Sequence, residues 1–251
     1  MQSDEKQPFL SHLEELRKRL ITCAIAVGIG FLLCYGVSET LFRVLIMPLK
    51  ANMAEGDRLI FTSLPEMFFA YLKTGFIGGI LLASPVIFYQ LWMFVAPGLY
   101  QREKRLVIPF VISSTVLFAG GAMFGYFVVF PFGFKFFLGF ANESIQALPS
   151  VKQYFSFAIK LLFAFGIVFE LPVVVFFLAK MRLVTPEFLR KKRKYAILLT
   201  FVLGAILTPP DVITQCMMAV PLILLYEISI FIAKAARPAK TEEGEGAEEE
   251  A

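Results

Sequence analysis

The sequence predicts an all-α polytopic membrane protein of six transmembrane helices in one bundle. Three observations predict it. The 251 residues are 58% hydrophobic with a mean hydropathy of +0.72, where soluble domains run nearer half apolar. The apolar residues gather into runs of the length a membrane-spanning helix needs. Capping patterns, prolines and glycines punctuate those runs, and no polar linker in the middle divides the chain into two domains.

Residues 1–19 form the first unit. Ser11 with Glu14 has the spacing of a capping box, and Phe9, Leu13, Leu16 and Leu20 recur on one helical face. The pattern predicts a short amphipathic helix on the cytoplasmic membrane surface that feeds straight into a first span, about Leu20–Val37. It holds two carboxylates, Glu14 and Glu15, among Arg17, Lys18 and Arg19. The apolar run is too long for the core of a cleaved signal peptide and no A-x-A-like site follows it, so the span is expected to be retained.

Residues 20–233 make up the transmembrane domain. After an amphipathic segment at Leu41–Leu49, Ser63-Leu-Pro-Glu66 repeats the capping-box pattern and predicts a second helix over about Leu64–Val95. At 1.5 Å per residue that helix is roughly 45 Å long against a hydrocarbon core of about 30 Å, so it must tilt, bend at Pro85 or stand proud. Tyr89 and Trp92 near its end suit an interfacial belt. Span three is predicted over about Leu106–Phe130, closed by Pro131, and span four over about Lys152–Ala179 with Glu170 and Pro172 inside it. Gly75/Gly79 and Gly121/Gly125 are G-x-x-x-G pairs that permit close helix contact.

Thr185-Pro186-Glu187 supplies an N-cap, a first-turn proline and a first-turn acid for the fifth helix. That helix is basic at Arg190–Lys194 and then apolar over Tyr195–Leu207. The apolar part covers only about 20 Å, too short for a normal bilayer. Thr208-Pro-Pro-Asp211 is a tight turn, and span six follows at about Val212–Ala233. Residues 234–251 are rich in Glu and Gly without aromatics, a disordered acidic tail on the cytoplasmic side. Lysine and arginine set the orientation: with the N-terminus inside, the cytoplasmic segments carry sixteen and the outer segments five, which puts both termini in the cytoplasm.

The chemistry is narrower. Cys23, Cys34 and Cys216 lie in apolar runs without metal-ligand spacing and are read as packing residues. His12 is the sole histidine, no phosphate-binding loop is present, and the sequence implies no enzyme, no catalytic residue, no metal, no cofactor and no nucleic acid. Work done by such a chain is driven by a partner, a gradient or binding energy. Glu170 is the odd residue within a span, and an acid at a helix centre costs about 2.5–3.5 kcal/mol on insertion scales, which marks it as a functional candidate. Gln215 and Thr208 offer a second polar patch near the outer side.

Five separated motifs carry a family resemblance: His12-Leu-x-Glu15-Leu-Arg17-x-Arg19-Leu20; Ala96-Pro-x-Leu99-Tyr100 with Glu103 and Arg105; Phe169-Glu170-x-Pro172; Arg190-Lys-Lys-Arg193; and Leu207-Thr-Pro-Pro-Asp211. Together they resemble the TatC family of twin-arginine translocase components, in order from about Gln7 to Ala233. The resemblance implies six helices in a concave bundle shaped like a cupped hand, the last two too short to span. It implies a signal-peptide receptor in the bacterial inner membrane that exports folded proteins with the single-span subunits TatA and TatB, driven by the proton-motive force. Self-association in a receptor complex is also implied.

In that family Glu15 and Glu103, with Arg17 and Arg105, match the signal-peptide-binding positions. Glu170 matches the intramembrane acid, and the fifth span with Thr208, Pro209, Pro210, Asp211 and Gln215 matches the partner-contact region. The physics agrees, since guanidinium stays charged and takes a carboxylate bidentately, so two separated acids can clamp two adjacent arginines. Each acid also has basic neighbours, and such pairs are usually solvated. Two charge-assisted contacts contribute about 3–6 kcal/mol, around millimolar binding or somewhat better. A selective receptor therefore needs the apolar part of the signal to insert along the bundle towards Glu170 as well. Two other classes fit the composition: a secondary transporter, though without matched interrupted helices in two halves, and a membrane scaffold in which Glu15 and Glu103 tolerate alanine.

Overall fold

Backbone polar groups in lipid must find partners within their own segment, and this chain answers with helices. The computed structural model describes residues 6–53, 57–95, 107–142, 146–207 and 212–236, and for residues 6–10 the backbone alone. The helices are α1 (Lys6–Gly36), α2 (Ser38–Lys50), α3 (Glu66–Val95), α4 (Val107–Phe124), a π-helical turn (Gly125–Val129), α5 (Phe130–Leu138), α6 (Val151–Phe169), α7 (Leu171–Lys180), α8 (Pro186–Leu207) and α9 (Val212–Ala236). Five stretches are long and apolar enough to cross a membrane: Ser11–Gly36, Glu66–Val95, Val107–Leu138, Val151–Lys180 and Val212–Ala236. The half-basic α8 is not among them, which follows from its composition; α9, expected to be short as well, is corrected, since its 25 residues are long and apolar enough to cross.

Several local expectations are corrected. The surface helix and the first span are one continuous α1 that is already helical at Lys6, so Ser11 and Glu14 do not mark its beginning. The second capping pattern is displaced by one residue: the Glu66 carboxylate accepts from Thr62 N–H and Thr62 Oγ1, not from Ser63. Pro131 does not close span three. The helix runs on to Leu138, because the wide π turn just before the proline gives its ring room. Trp92 is buried rather than interfacial. Of the cysteines, Cys34 sits against Gly78 as a packing residue, whereas Cys216 is exposed on the outside of α9.

The prolines inside the spans are handled individually. Pro85 lies within an unbroken α3, and its missing N–H orphans the carbonyl of Leu81 four residues back. Ser84 Oγ donates to that carbonyl at 2.8 Å. Pro172 instead breaks its span, and α6 gives way to α7 at Glu170. Thr185 caps α8 as expected, its Oγ1 accepting from Phe188 N–H at 3.1 Å with Pro186 first in the helix.

Glycines let the helices touch backbone to backbone. A Cβ on Gly79 would stand 2.5 Å from Phe31 N, and one on Gly30 would stand 2.6 Å from Gly79 O, so α1 and α3 cross there without side chains between them. Gly121 meets the Phe165 carbonyl in the same way where α4 crosses α6. Phe130, Phe155, Leu161, Phe165 and Met218 form the centre of the main core, joining α5, α6 and α9.

The end of the bundle where α1 finishes and α3 begins is fastened by polar contacts. Tyr126 Oη donates to Val44 O at 2.6 Å and Tyr154 Oη donates to Leu45 O, pinning α2 across the bundle. Ile60 N–H donates to Pro149 O and Val151 N–H to Ile60 O, so the chain before α3 pairs with the chain before α6.

Candidate functional site

Three polar places stand out along the bundle. At the end of the bundle where α1 begins and α3 finishes, α1 presents Glu15 to Arg19 one turn on, as helical spacing requires. Arg19 donates to Glu15 Oε1 from Nε at 2.9 Å and from Nη2 at 2.5 Å, and its Nη1 donates to Gln90 Oε1 at 3.1 Å. His12 stacks on Phe94 with ring centroids 4.3 Å apart, and its Nδ1 stands 3.9 Å from Glu15 Oε2. The last turns of α3 thus hold Arg19 and His12, which flank the partly buried Glu15 carboxylate. Arg17 is exposed and makes no ion pair among the described residues. Glu103 and Arg105 lie outside the described residues.

The second place is the α6–α7 break. Glu170 is half-buried there, and its Oε1 is buried without a hydrogen-bond partner among the described residues. The Ser114 hydroxyl, fully buried on α4, accepts the Trp92 indole N–H at 3.0 Å. The Glu170 carboxyl group sits at the α6–α7 break with acceptor capacity left over.

The third place joins α8 to α9. Gln215 Nε2 donates to Phe201 O at 2.8 Å, and the Gln215 side chain lies over Gly204. Arg193 Nη2 reaches Glu227 Oε2 at 2.6 Å, and Tyr226 Oη donates to Leu189 O. The Gln215 amide N–H is therefore engaged with the backbone of its neighbouring helix. Thr208, Pro209, Pro210 and Asp211 lie outside the described residues, so the expected Gln215–Thr208 patch does too, as does the acidic tail.

Sequence reasoning passed over several residues. Glu66 is buried and accepts four hydrogen bonds, from Thr62 N–H and Oγ1, from Ser150 Oγ at 2.9 Å and from Lys152 N–H at 2.6 Å. Lys73 and Lys160 are charged residues within candidate spans, both exposed, so Glu170 is not alone in that respect. A count of charges inside the apolar runs would have found both lysines. Gln90, Phe94 and Ser114 carry no signal of their own, because their partners are distant in sequence. Among the described residues no group of His, Cys, Asp and Glu could hold a metal.

Comparisons with known proteins agree on one family. Residues 11–221 match the family described as Sec-independent protein translocase protein (TatC). The TatC protein of Desulforapulum autotrophicum is 56% identical over 98% of this chain and 91% of its own length. That of Escherichia coli K12 is 42% identical over 93% of this chain and 91% of its own. A crystal structure of a twin arginine translocase receptor TatC superposes with a TM-score of 0.80 at 46% identity, covering 90% of this chain and 99% of the other. The chain belongs to the TatC family of Sec-independent protein translocase proteins, multi-pass membrane components of a transport system and not enzymes.

Proposed function

We propose that this chain is the receptor that takes the twin-arginine signal peptide of folded proteins in the bacterial inner membrane. Both termini are cytoplasmic, α8 is the fifth of six spans, and TatA and TatB are its partners in export driven by the proton-motive force. One observation carries the recognition step. Glu15 is held on the α3 end with both nitrogens of one guanidinium edge already seated on its Oε1, so the place is shaped for arginine. An incoming arginine replaces Arg19 there, and Glu103 takes the second arginine of the pair, with Arg17 and Arg105 beside them.

The apolar part of the signal inserts along the concave face towards Glu170, whose free oxygen accepts a donor from the inserted segment. The α8–α9 unit, with Gln215 and residues 208–211, is the partner-contact region, and the bilayer beside it is thinned to match α8. The chain self-associates in the receptor complex. The test is binding of a twin-arginine signal peptide against its twin-lysine version, with Glu15→Ala and Glu103→Ala. Arginine preference that vanishes in either variant supports the clamp. Equal binding of both peptides, unmoved by the substitutions, sinks it.

A further inference from the structure

An ammonium group within a spanning helix must reach water or an anion, since lipid tails do not solvate it. Lys73 is such a group: it lies on α3 about 10 Å past the helix start, is exposed, and makes no ion pair among the described residues. Helical side chains lean towards the N-terminus of their own helix, so its ammonium turns back to the end of the bundle where α3 and α6 begin. A cavity of about 280 Å³ lies there, and Ser63, Glu66, Phe69, Lys73, Lys152 and Phe155 contribute to its lining. Lys152, in the first turn of α6, is likewise exposed and without an ion pair among the described residues.

Glu66 is the one acid of that lining, and neutral donors already fill it. Its Oε2 takes Thr62 N–H and Oγ1, and its Oε1 takes Ser150 Oγ and the backbone N–H of Lys152. Two ammonium groups therefore outnumber the acid, and the N-terminal, positive ends of α3 and α6 lie on the same side. Phe69, Lys73 and Phe76 recur at helical spacing, and both rings are exposed, so an apolar chain has a track along α3 that starts at the cavity.

We propose that this cavity binds the phosphate of an anionic phospholipid, with Lys73 and Lys152 on the headgroup and an acyl chain along Phe69 and Phe76. The depth of Lys73 and the rings continuous with the lining select a lipid over a free anion. A headgroup of net negative charge is favoured over a zwitterionic one, whose own cation would meet the same lysines.

Native mass spectrometry of the full chain in detergent, titrated with phosphatidylglycerol or phosphatidylcholine, tests the site. The parent is expected to retain one phosphatidylglycerol more tightly than phosphatidylcholine. Lys73→Gln and Lys152→Gln each weaken that first step about fivefold. Lys73→Arg keeps it, as a charge requirement demands. Lys160→Gln, at an exposed lysine of α6 that does not line the cavity, leaves it unchanged. Millimolar inorganic phosphate does not displace the lipid. Equal retention of the two lipids, or of phosphatidylglycerol by the parent and the Lys73→Gln/Lys152→Gln double variant, overturns the proposal, and so does displacement by phosphate alone.

Discussion

Arg19 sits on Glu15 with two guanidinium nitrogens, at 2.9 and 2.5 Å, and reaches across to Gln90 with a third at 3.1 Å. The arrangement makes Arg19 an internal competitor for the guanidinium of any ligand. Removing one partner of a partly exposed ion pair of this kind changes an equilibrium by about 0.2–1 kcal/mol. Arg19→Ala is therefore expected to tighten binding of a twin-arginine peptide by up to about fivefold, whereas Glu15→Gln weakens it about tenfold or more. Fluorescence anisotropy of a labelled peptide measures both. Weaker binding in Arg19→Ala would show that Arg19 builds the site rather than blocks it.

The α1–α3 crossing has no room for a methyl group. Gly79→Ala places a Cβ 2.5 Å from Phe31 N, and neither backbone can yield easily. Overpacking of that kind costs about 1–3 kcal/mol. Gly28→Ala, where nothing stands within 4 Å, is the control and is expected to be neutral or slightly stabilising. Thermal unfolding in detergent separates them; equal melting temperatures would mean that α1 shifts along α3 at no cost.

Ser84 repairs what Pro85 removes. Ser84→Ala leaves the Leu81 carbonyl without a donor inside a helix that crosses lipid, a loss of about 1 kcal/mol. Ser113→Ala removes a comparable hydroxyl whose acceptor, Pro109 O, has no proline four residues on, so the effect is smaller. A melting difference between the two variants supports the repair role. Pro85→Ala in the Ser84→Ala background recovers the loss, since the backbone N–H returns.

Glu66 ties the start of α3 to the segments before it and before α6. Glu66→Ala strips the partner from Thr62 N–H, Ser150 Oγ and Lys152 N–H at once. Faster hydrogen exchange at Thr62 and Lys152, and faster proteolysis between residues 57 and 62 in detergent, are the expected results. Glu66→Gln, which keeps an acceptor but loses one of two carboxylate oxygens to an amide, falls between the variant and the parent. Exchange rates unchanged in Glu66→Ala would sink the tether.

Most of the fold was legible because length and punctuation act locally. The helix periods, the Thr185 cap and the close glycine contacts at Gly79 and Gly121 all follow from neighbouring residues. What escaped depends on pairs far apart in the chain. Trp92 near a helix end reads as an interface anchor until Ser114, 22 residues on, is placed against its N–H. Pro131 reads as a terminator until the π turn before it is seen. Glu66 reads as one half of a cap, since nothing nearby announces that Ser150 and Lys152 will arrive on the same carboxylate. Of the proposed recognition site, Glu15 was legible from its motif, whereas the Gln90 and Phe94 that hold its neighbours were not.

The π turn at Gly125–Val129 has one more effect. Its extra residue resets the azimuth of α5 relative to α4, so the two parts of one continuous span keep independent phase. Deleting a single residue within it would return the helix to ordinary winding and leave α5 facing nearly as before, because the wide turn already absorbs one residue. Phe134 would keep its place in the core. A labelling scan from residue 107 to 138 would trace two waves that fail to join, with the discontinuity at the turn.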